Sequence, residues 1–482
     1  MGTLFIALQV ILFVAVAWTM NAYGETYYVS EDGNDQNPGT EQRSFKTFQQ
    51  ANSGLKPGDT VIVKDGHYDV GSSGFITTQS GTKDQPITWK AEHVGKVFVT
   101  NRREVTGFES AAEKAFRVKL DNKPYSLLED EDMLYPVSDE ENAVGPKWQP
   151  GTWRFADGYL YVWLWDSDSP DQHKIWASCG NIINLTSDAS YQIWDGFVFE
   201  YGLCGWKTHY VECRFNTVRN CTLRYVGQGI LGASDTLVEH CHFERIGCTH
   251  WEHGIYCGGQ STVIRYCTFR DIAGGALHLY PEPKNITAYC NVIGPPQNLR
   301  HIWGGTTGIY AWGQGTHRIF RNVIYGGHNT GISLNSDRCL VANNTILNVT
   351  GTAIYLYEHI GNQIQNNVLD ARDSYSYVGQ PDNDLDYNFY LSPGQWMWLK
   401  KPLTDFAAYR QTSGMDSHSL WDSPADFINP TEQDFRPASD SPLIDSGITI
   451  PGVTDGFQGN SPDIGAFEFG LDWPEQPGPV ER

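Results

Sequence analysis

The feature that most constrains this chain is a repeat. Between about residues 190 and 370, six segments align without gaps: VRNCTL, VEHCHF, IRYCTF, IFRNVI, VANNTI and IQNNVL. ITAYCNVI joins them with one inserted residue. The aligned turn position holds Cys221, Cys241, Cys267, Asn291, Asn322, Asn344 and Asn367, at intervals of 20, 26, 24, 31, 22 and 23 residues. A second short strand follows each turn and reads GILG, GIYC, ALHL, GIYA, GISL and AIYL. Its strict alternation marks a strand with one buried face.

Short strands, a near-constant period and an Asn or Cys at one bend fit a coiled stack in which each turn pairs with the next at about 4.8 Å. A stacked Asn satisfies its neighbours' amides as a ladder, and a Cys fills the same inward position as a small apolar group. The expectation is an all-β chain built as a right-handed parallel β-helix, with a small β-rich insert and caps at both ends. A propeller needs about 40–50 residues per blade. A sandwich would not repeat this regularly. The ten cysteines of an exported chain suggest disulfides, but their place in the repeat favours buried thiols.

The expected organisation runs from a signal peptide (1–24) to an N-terminal cap with the first coils (25–100). A β-rich insert (101–178), the main helix (179–372), C-terminal coils and cap (373–470) and a polar tail (471–482) follow. Leu4 to Trp18 is apolar except for Gln9, and Ala22-Tyr23-Gly24 supplies small residues for cleavage. The rival reading of that stretch is an uncleaved anchor. No later run is long enough to span a bilayer. The expected location is outside the cell or in the periplasm, and the expected state a monomer. Within the insert, Leu160–Trp165 reads as a strand after an Asp-Gly turn. The tail from about 373 is expected to close the open end, because a repeat array exposes its last edge.

Charge narrows the partners. The chain carries 56 acidic residues against 34 basic ones, a net −22. Such a surface has no basic footprint for phosphate backbones, which excludes nucleic acid as a partner. It also disfavours anionic membranes after the signal is removed. Acidic glycans would be bound only with a cation or a local basic pocket.

YYVSEDGNDQNPGT (27–40), LKPGDTVIVKDGHY (55–68), PGTW…LYVW and FRPASDSPLIDSG…PDIGAFE (435–468) resemble segments of secreted right-handed parallel β-helix proteins, the pectate-lyase-like carbohydrate-active superfamily. The resemblance covers nearly the whole mature chain. It implies a poly- or oligosaccharide substrate, and either glycoside hydrolysis, polysaccharide lysis or glycan binding without catalysis. The early insert resembles that of exo-acting β-helix glycosidases, which ranks hydrolysis first.

Alternation in the second strand points Ile255, Leu277, Ile309, Ile332 and Ile354 inward. Tyr256, His278, Tyr310, Ser333 and Tyr355 then point outward, followed two residues on by Tyr280, Trp312, Asn335 and Tyr357. An exposed aromatic stripe is a platform for sugar C–H faces, with His301 and His328 added as binding residues from the same region. Carboxylates gather at the strand's ends: Glu252 before it, and Glu282, Asp337 and Glu358 after it. Retaining glycosidases need carboxyls about 5–5.5 Å apart and inverting ones about 6.5–9.5 Å. Asp337 and Glu358, on adjacent coils, fit a nucleophile and a proton donor, the latter with a raised pKa. Glu282 and Asp337, two coils apart, are nearer the inverting spacing. His253 and His278, with Tyr256 and Tyr310, offer the acid and base of a β-elimination, for which Ca²⁺ is a possible aid. No motif specifies a metal site. Asp32–Asn37 lacks the glycine and distal Glu placement of an EF-hand Ca²⁺ loop and reads as a turn.

Overall fold

The computed structural model describes residues 24–111, 114–137, 147–178, 180–209, 212–296, 306–391, 394–421 and 423–471. The expected signal segment therefore lies outside the described residues, Gly24 apart. Most coils of the repeat make three short strands on three faces; in the coils of Phe197–Thr208 and Thr222–Leu231 the second and third run together as one long strand. One coil runs through Val263–Arg265, Thr268–Ile272 and Gly275–Leu279. Each strand pairs in parallel with its counterpart one coil later: Ile264 with Ala288, Phe269 with Ile293, Leu277 with Ile309. The result is the expected parallel β-helix. Its first face is a parallel sheet of twelve strands from Thr26–Val29 to Asp384–Asp386.

The bend between the first and second strands explains the repeat. The residue before each ladder position takes a left-handed conformation, with φ of 50–57° at Asn220, His240, Tyr266, Cys290, Arg321, Asn343, Asn366 and Tyr387. That conformation turns the chain sharply and drives the next side chain inward. Cys221, Cys241 and Cys267 sit there as buried thiols. Asn291, Asn322, Asn344, Asn367 and Asn388 continue the same column, wholly buried. Each Asn Nδ2 donates to a carbonyl of the coil before it, and from Asn291 to Asn367 it also donates to the next Asn Oδ1, at 2.8–3.1 Å. From Asn291 to Asn367 the backbone N–H is met by the next Oδ1 as well, at 3.0–3.1 Å. A buried polar column with every partner supplied stabilises the stack; a half-supplied one would not. None of the nine described cysteines forms a disulfide.

A second inward column, not foreseen from the sequence, lies at the entrance to the first strand. Thr262 Oγ1, His317 Nδ1, Cys339 Sγ, Asn362 Oδ1 and Asn383 Oδ1 each accept a backbone N–H from the preceding coil. Its chemistry changes from coil to coil, so no single residue type repeats.

Apart from these two polar columns the core between the faces is largely apolar, and both ends are closed by aromatic side chains. At the start, the short helix Phe48–Asn52 lays Phe48 on Trp89 with ring centroids 5.4 Å apart, and Trp89 stacks on Trp194 at 5.2 Å. At the far end, the helix Phe406–Ser413 presses Phe406 and Tyr409 against Trp396. Closure is thus the work of this one helix. The rest of the expected C-terminal cap runs back along the flank of the coils. Asn343 donates to the carbonyls of Asp463 and Gly465, Asn366 to that of Ile448, and buried Arg321 to those of Val453 and Ala466.

Between Arg102 and Ser178 the chain leaves the coils for a separate, mainly antiparallel sheet, of eight strands among the described residues. It has its own core, including Leu127, Leu134, Trp153, Leu160, Val162 and Leu164. It docks on the helix where Leu128 and Met133 meet Tyr201, Tyr225 and Cys248. Near Asp32, the loop oxygens accept backbone N–H groups, Asn34 from Gln36 and Asp35 from Lys46 and Thr47, which is the turn expected there.

Candidate functional site

The third face carries the outward row. Its register places Leu231, Tyr256, His278, Tyr310, Ser333, Tyr355 and Tyr377 on successive coils. Ile255, Leu277, Ile309, Ile332 and Ile354 are fully buried, as the alternation requires. Tyr256, His278, Tyr310, Trp312, Asn335, Tyr355 and Tyr357 are half-buried, and Tyr280 is exposed. Ring contacts bind the row together: Tyr256 to His278 at 4.9 Å, His278 to Tyr310 at 5.0 Å, Tyr310 to Trp312 at 5.8 Å and Trp312 to Tyr357 at 5.8 Å. Trp312 Nε1–H donates to Ser333 Oγ at 3.2 Å, which fixes the indole. Tyr377 extends the row, stacked on Tyr355 at 4.2 Å and nearly parallel. It was legible in SYSYV, which continues the alternation one coil beyond the aligned segments.

At the centre of this surface the hydrogen bonds determine the protonation of two histidines. Gly275 N–H donates to His253 Nδ1 at 2.8 Å, so that nitrogen carries a lone pair. The His253 proton is then on Nε2, and it donates to His278 Nδ1 at 2.8 Å. His278 is left with its proton on Nε2, among the rings of Tyr256, Tyr280, Tyr310 and Trp312. Burial and the neighbouring His278 push the His253 pKa down to about 3, and burial pushes His278 to about 4. Both rings are neutral at neutral pH. His253 is only 2% exposed, and its backbone N–H is held by Gln228 Oε1. It is therefore a positioning residue for His278 and not the catalytic contact expected. His278, whose Nδ1 is occupied, presents an N–H donor at its Nε2. Burial also raises the Tyr310 pKa, which keeps its phenol protonated.

The carboxylates differ from one another. Asp337 Oδ1 accepts Ile360 N–H and meets His359 Nδ1, each at 2.9 Å, and these partners lower its pKa. Glu358 is exposed and bonded to Lys400 Nζ at 2.7 Å, which lowers its pKa where the sequence reading required a raised one. Lys400 arrives from the loop after Trp396–Trp398, too far along the chain for spacing to reveal it. Glu252 Oε2 accepts the N–H groups of Cys248 and Thr249, at 2.6 and 2.8 Å, and so holds its own loop; burial raises its pKa. Glu282 is exposed beyond Tyr280. His328 is 2% exposed, with Nε2 on the carbonyl of Gly294, so it is a structural residue and not a binding one. His301 lies outside the described residues.

Residues 170–310 match the family described as right handed beta helix region. The chain is a right-handed β-helix protein. Residues 43–107 match the chondroitinase B family. Along 466 residues the β-helix chain is 25% identical to the "Uncharacterized protein YwoF" of Bacillus subtilis (strain 168), covering 87% of this chain and 92% of that one. Among solved structures it is similar to the pectate lyase Pel9A, with a TM-score of 0.54, 16% identity, and 93% and 97% of the two chains covered. It is also similar to XylC in complex with xylose, with a TM-score of 0.53, 12% identity, and 84% and 87% covered. At these identities the likeness is one of fold, and function has to be argued from the site.

Proposed function

We propose that this β-helix protein is a secreted carbohydrate-active enzyme that binds a glycan along the third face and hydrolyses it. The observation that carries the reading is the coil-on-coil row from Tyr256 to Tyr377. It is half-buried, linked ring to ring, carries a fixed His278 donor and is bordered by carboxylates. Sugars need such a mixture of π-faces and fixed polar groups. Structural neighbours that act on or bind sugars, XylC with xylose among them, support the class.

For hydrolysis, Asp337 is the ionised carboxylate, held so by Ile360 N–H and His359. Glu358 on the next coil is the proton donor once a glycan displaces Lys400. That pair is exposed on both sides, where water screens the attraction, so a ligand can displace it. Freed from Lys400 and covered by sugar, the Glu358 carboxyl moves up in pKa. Glu358→Gln is expected to lower turnover by about 10²–10⁴-fold. Lys400→Met is expected to move the alkaline limb of the pH profile upward, because the acid then keeps its proton to higher pH.

Lysis is the second reading, favoured by the chondroitinase B match at residues 43–107. The occupied Nδ1 of His278 and the raised pKa of Tyr310 weigh against it, since neither is a ready base. The products decide. A panel of neutral and uronate glycans should yield reducing ends without new near-ultraviolet absorbance. An absorbing unsaturated uronate would replace hydrolysis by lysis, and retention without either product would leave a binding protein.

A further inference from the structure

We propose a second sugar-binding site, formed where the insert meets the helix by residues outside the aromatic row, and specific for non-acidic sugar units. It is a cavity of about 300 Å³ between the insert and the second face of the helix. That volume lies at the small end of ligand pockets. The insert supplies Glu131, Asp132, Tyr135 and Trp165, and adjacent coils supply Arg245 and Asp271.

The aromatic wall is built rather than incidental. Trp165 lies two residues past the strand Tyr159–Trp163, which stops short of the end expected for it, and is 43% exposed, whereas Trp153, Leu160, Val162 and Leu164 of the insert are buried. One face of its indole rests on Gly151. A Cβ added there would lie 2.5 Å from each of Cε3, Cζ2 and Cη2, over the middle of the six-membered ring. Gly151 has φ of 82° and is fastened on both sides, its N–H to Trp163 and its carbonyl to Tyr135, each at 2.8 Å. The indole Nε1–H donates to the carbonyl of Met133 at 3.3 Å, and Tyr135 meets the ring edge-on at 6.0 Å. A ring seated on one face and tied at its nitrogen presents its remaining exposed surface with little freedom to lose on binding. Such a surface packs against the C–H face of a sugar ring.

Polar groups for hydroxyls stand around it. Arg245 is held by the carbonyl of Glu131 and the Tyr225 hydroxyl, at 3.2 and 3.0 Å. Asp271 is partly desolvated, which raises its pKa. Three carboxylates line the cavity against one guanidinium. A uronate or sulfated unit would meet repulsion there, whereas an uncharged or amino sugar would not. The site uses none of the residues assigned to the aromatic row, so it can hold one part of a glycan while another part is processed.

The test titrates the full-length mature protein with xylose, glucose, galactose and glucosamine, and with galacturonate as the acidic control. Binding by one or more of the four should persist in Trp312→Ala, fall at least tenfold in Trp165→Ala and be largely kept in Trp165→Tyr. Galacturonate should bind at least tenfold more weakly. Asp132→Asn, exposed at the first position of the strand Asp132–Pro136, should narrow that gap while leaving the fold intact. Turnover of short glycans should be unchanged in Trp165→Ala, which separates failure of this site from failure of the row. Unaltered binding in Trp165→Ala, no binding by any of the four in Trp312→Ala, galacturonate as tight as the neutral sugars, or an unchanged gap in Asp132→Asn would overturn the proposal.

Discussion

At the scale of single residues, the site rests on protons placed by geometry. The backbone N–H of Gly275 fixes His253, and His253 fixes His278. His253→Phe leaves His278 Nδ1 without its donor and frees the ring to change tautomer. The expected outcome is weaker glycan binding with the fold retained, measured by titration beside circular dichroism. A second prediction concerns Gly151. Its side-chain position is filled by the Trp165 ring, and its φ of 82° strains any larger residue. Gly151→Ala should displace the indole and change its fluorescence. The sequence made the outward positions readable, because period-two alternation depends only on strand geometry. It did not show that His253 would turn inward, nor that Lys400 would reach Glu358, since both depend on how loops fold back.

At the scale of elements, the bend carries the stack. Asn344 Oδ1 accepts from both the backbone N–H and the side-chain Nδ2 of Asn322, and Asn344 Nδ2 reaches Ile319 and Asn367. Asn344→Ala should cost about 1–3 kcal/mol for each buried group left unsatisfied. Denaturant unfolding should show this as a lower midpoint with an unchanged slope. Asn344→Cys should be milder, because Cys221, Cys241 and Cys267 occupy the same column. The uniform column was legible from spacing alone. The column through Thr262, His317, Cys339 and Asn362 was not, because what is shared there is a position and an acceptor, not a residue type.

At the scale of the whole molecule, the pH response sums opposing groups. His253, His278, His317 and His328 all have pKa values pushed down by burial, the last two to about 4. Their unfolded value is about 6.5, so the unfolded chain binds more protons below that pH. Stability should therefore fall as pH drops from about 6.5 toward 4, by up to about 1.4 kcal/mol per pH unit for each histidine. Glu468, raised to about 7 by burial and Asp463, acts in the other direction. Its stabilisation is present below the unfolded value of about 4.3 and is lost as pH rises toward 7. Thermal melts across this range should show His317→Asn flattening the acid slope and Glu468→Gln removing the opposing loss. The clip that holds Glu468 joins the C-terminal segment to coils more than 100 residues earlier.

The sequence by itself determined the coil, its period, the inward ladder and the outward aromatic row. Each follows from local backbone geometry repeated at a fixed interval, and a repeat makes local preferences visible by stacking them. Only the tertiary structure decided which carboxylates have their pKa raised or lowered, which histidines are buried, how a helix closes each end of the core, and where the insert places Trp165 against Arg245 and Asp271. Those outcomes depend on desolvation and on partners brought from distant loops, and neither is written in the spacing of residues along the chain.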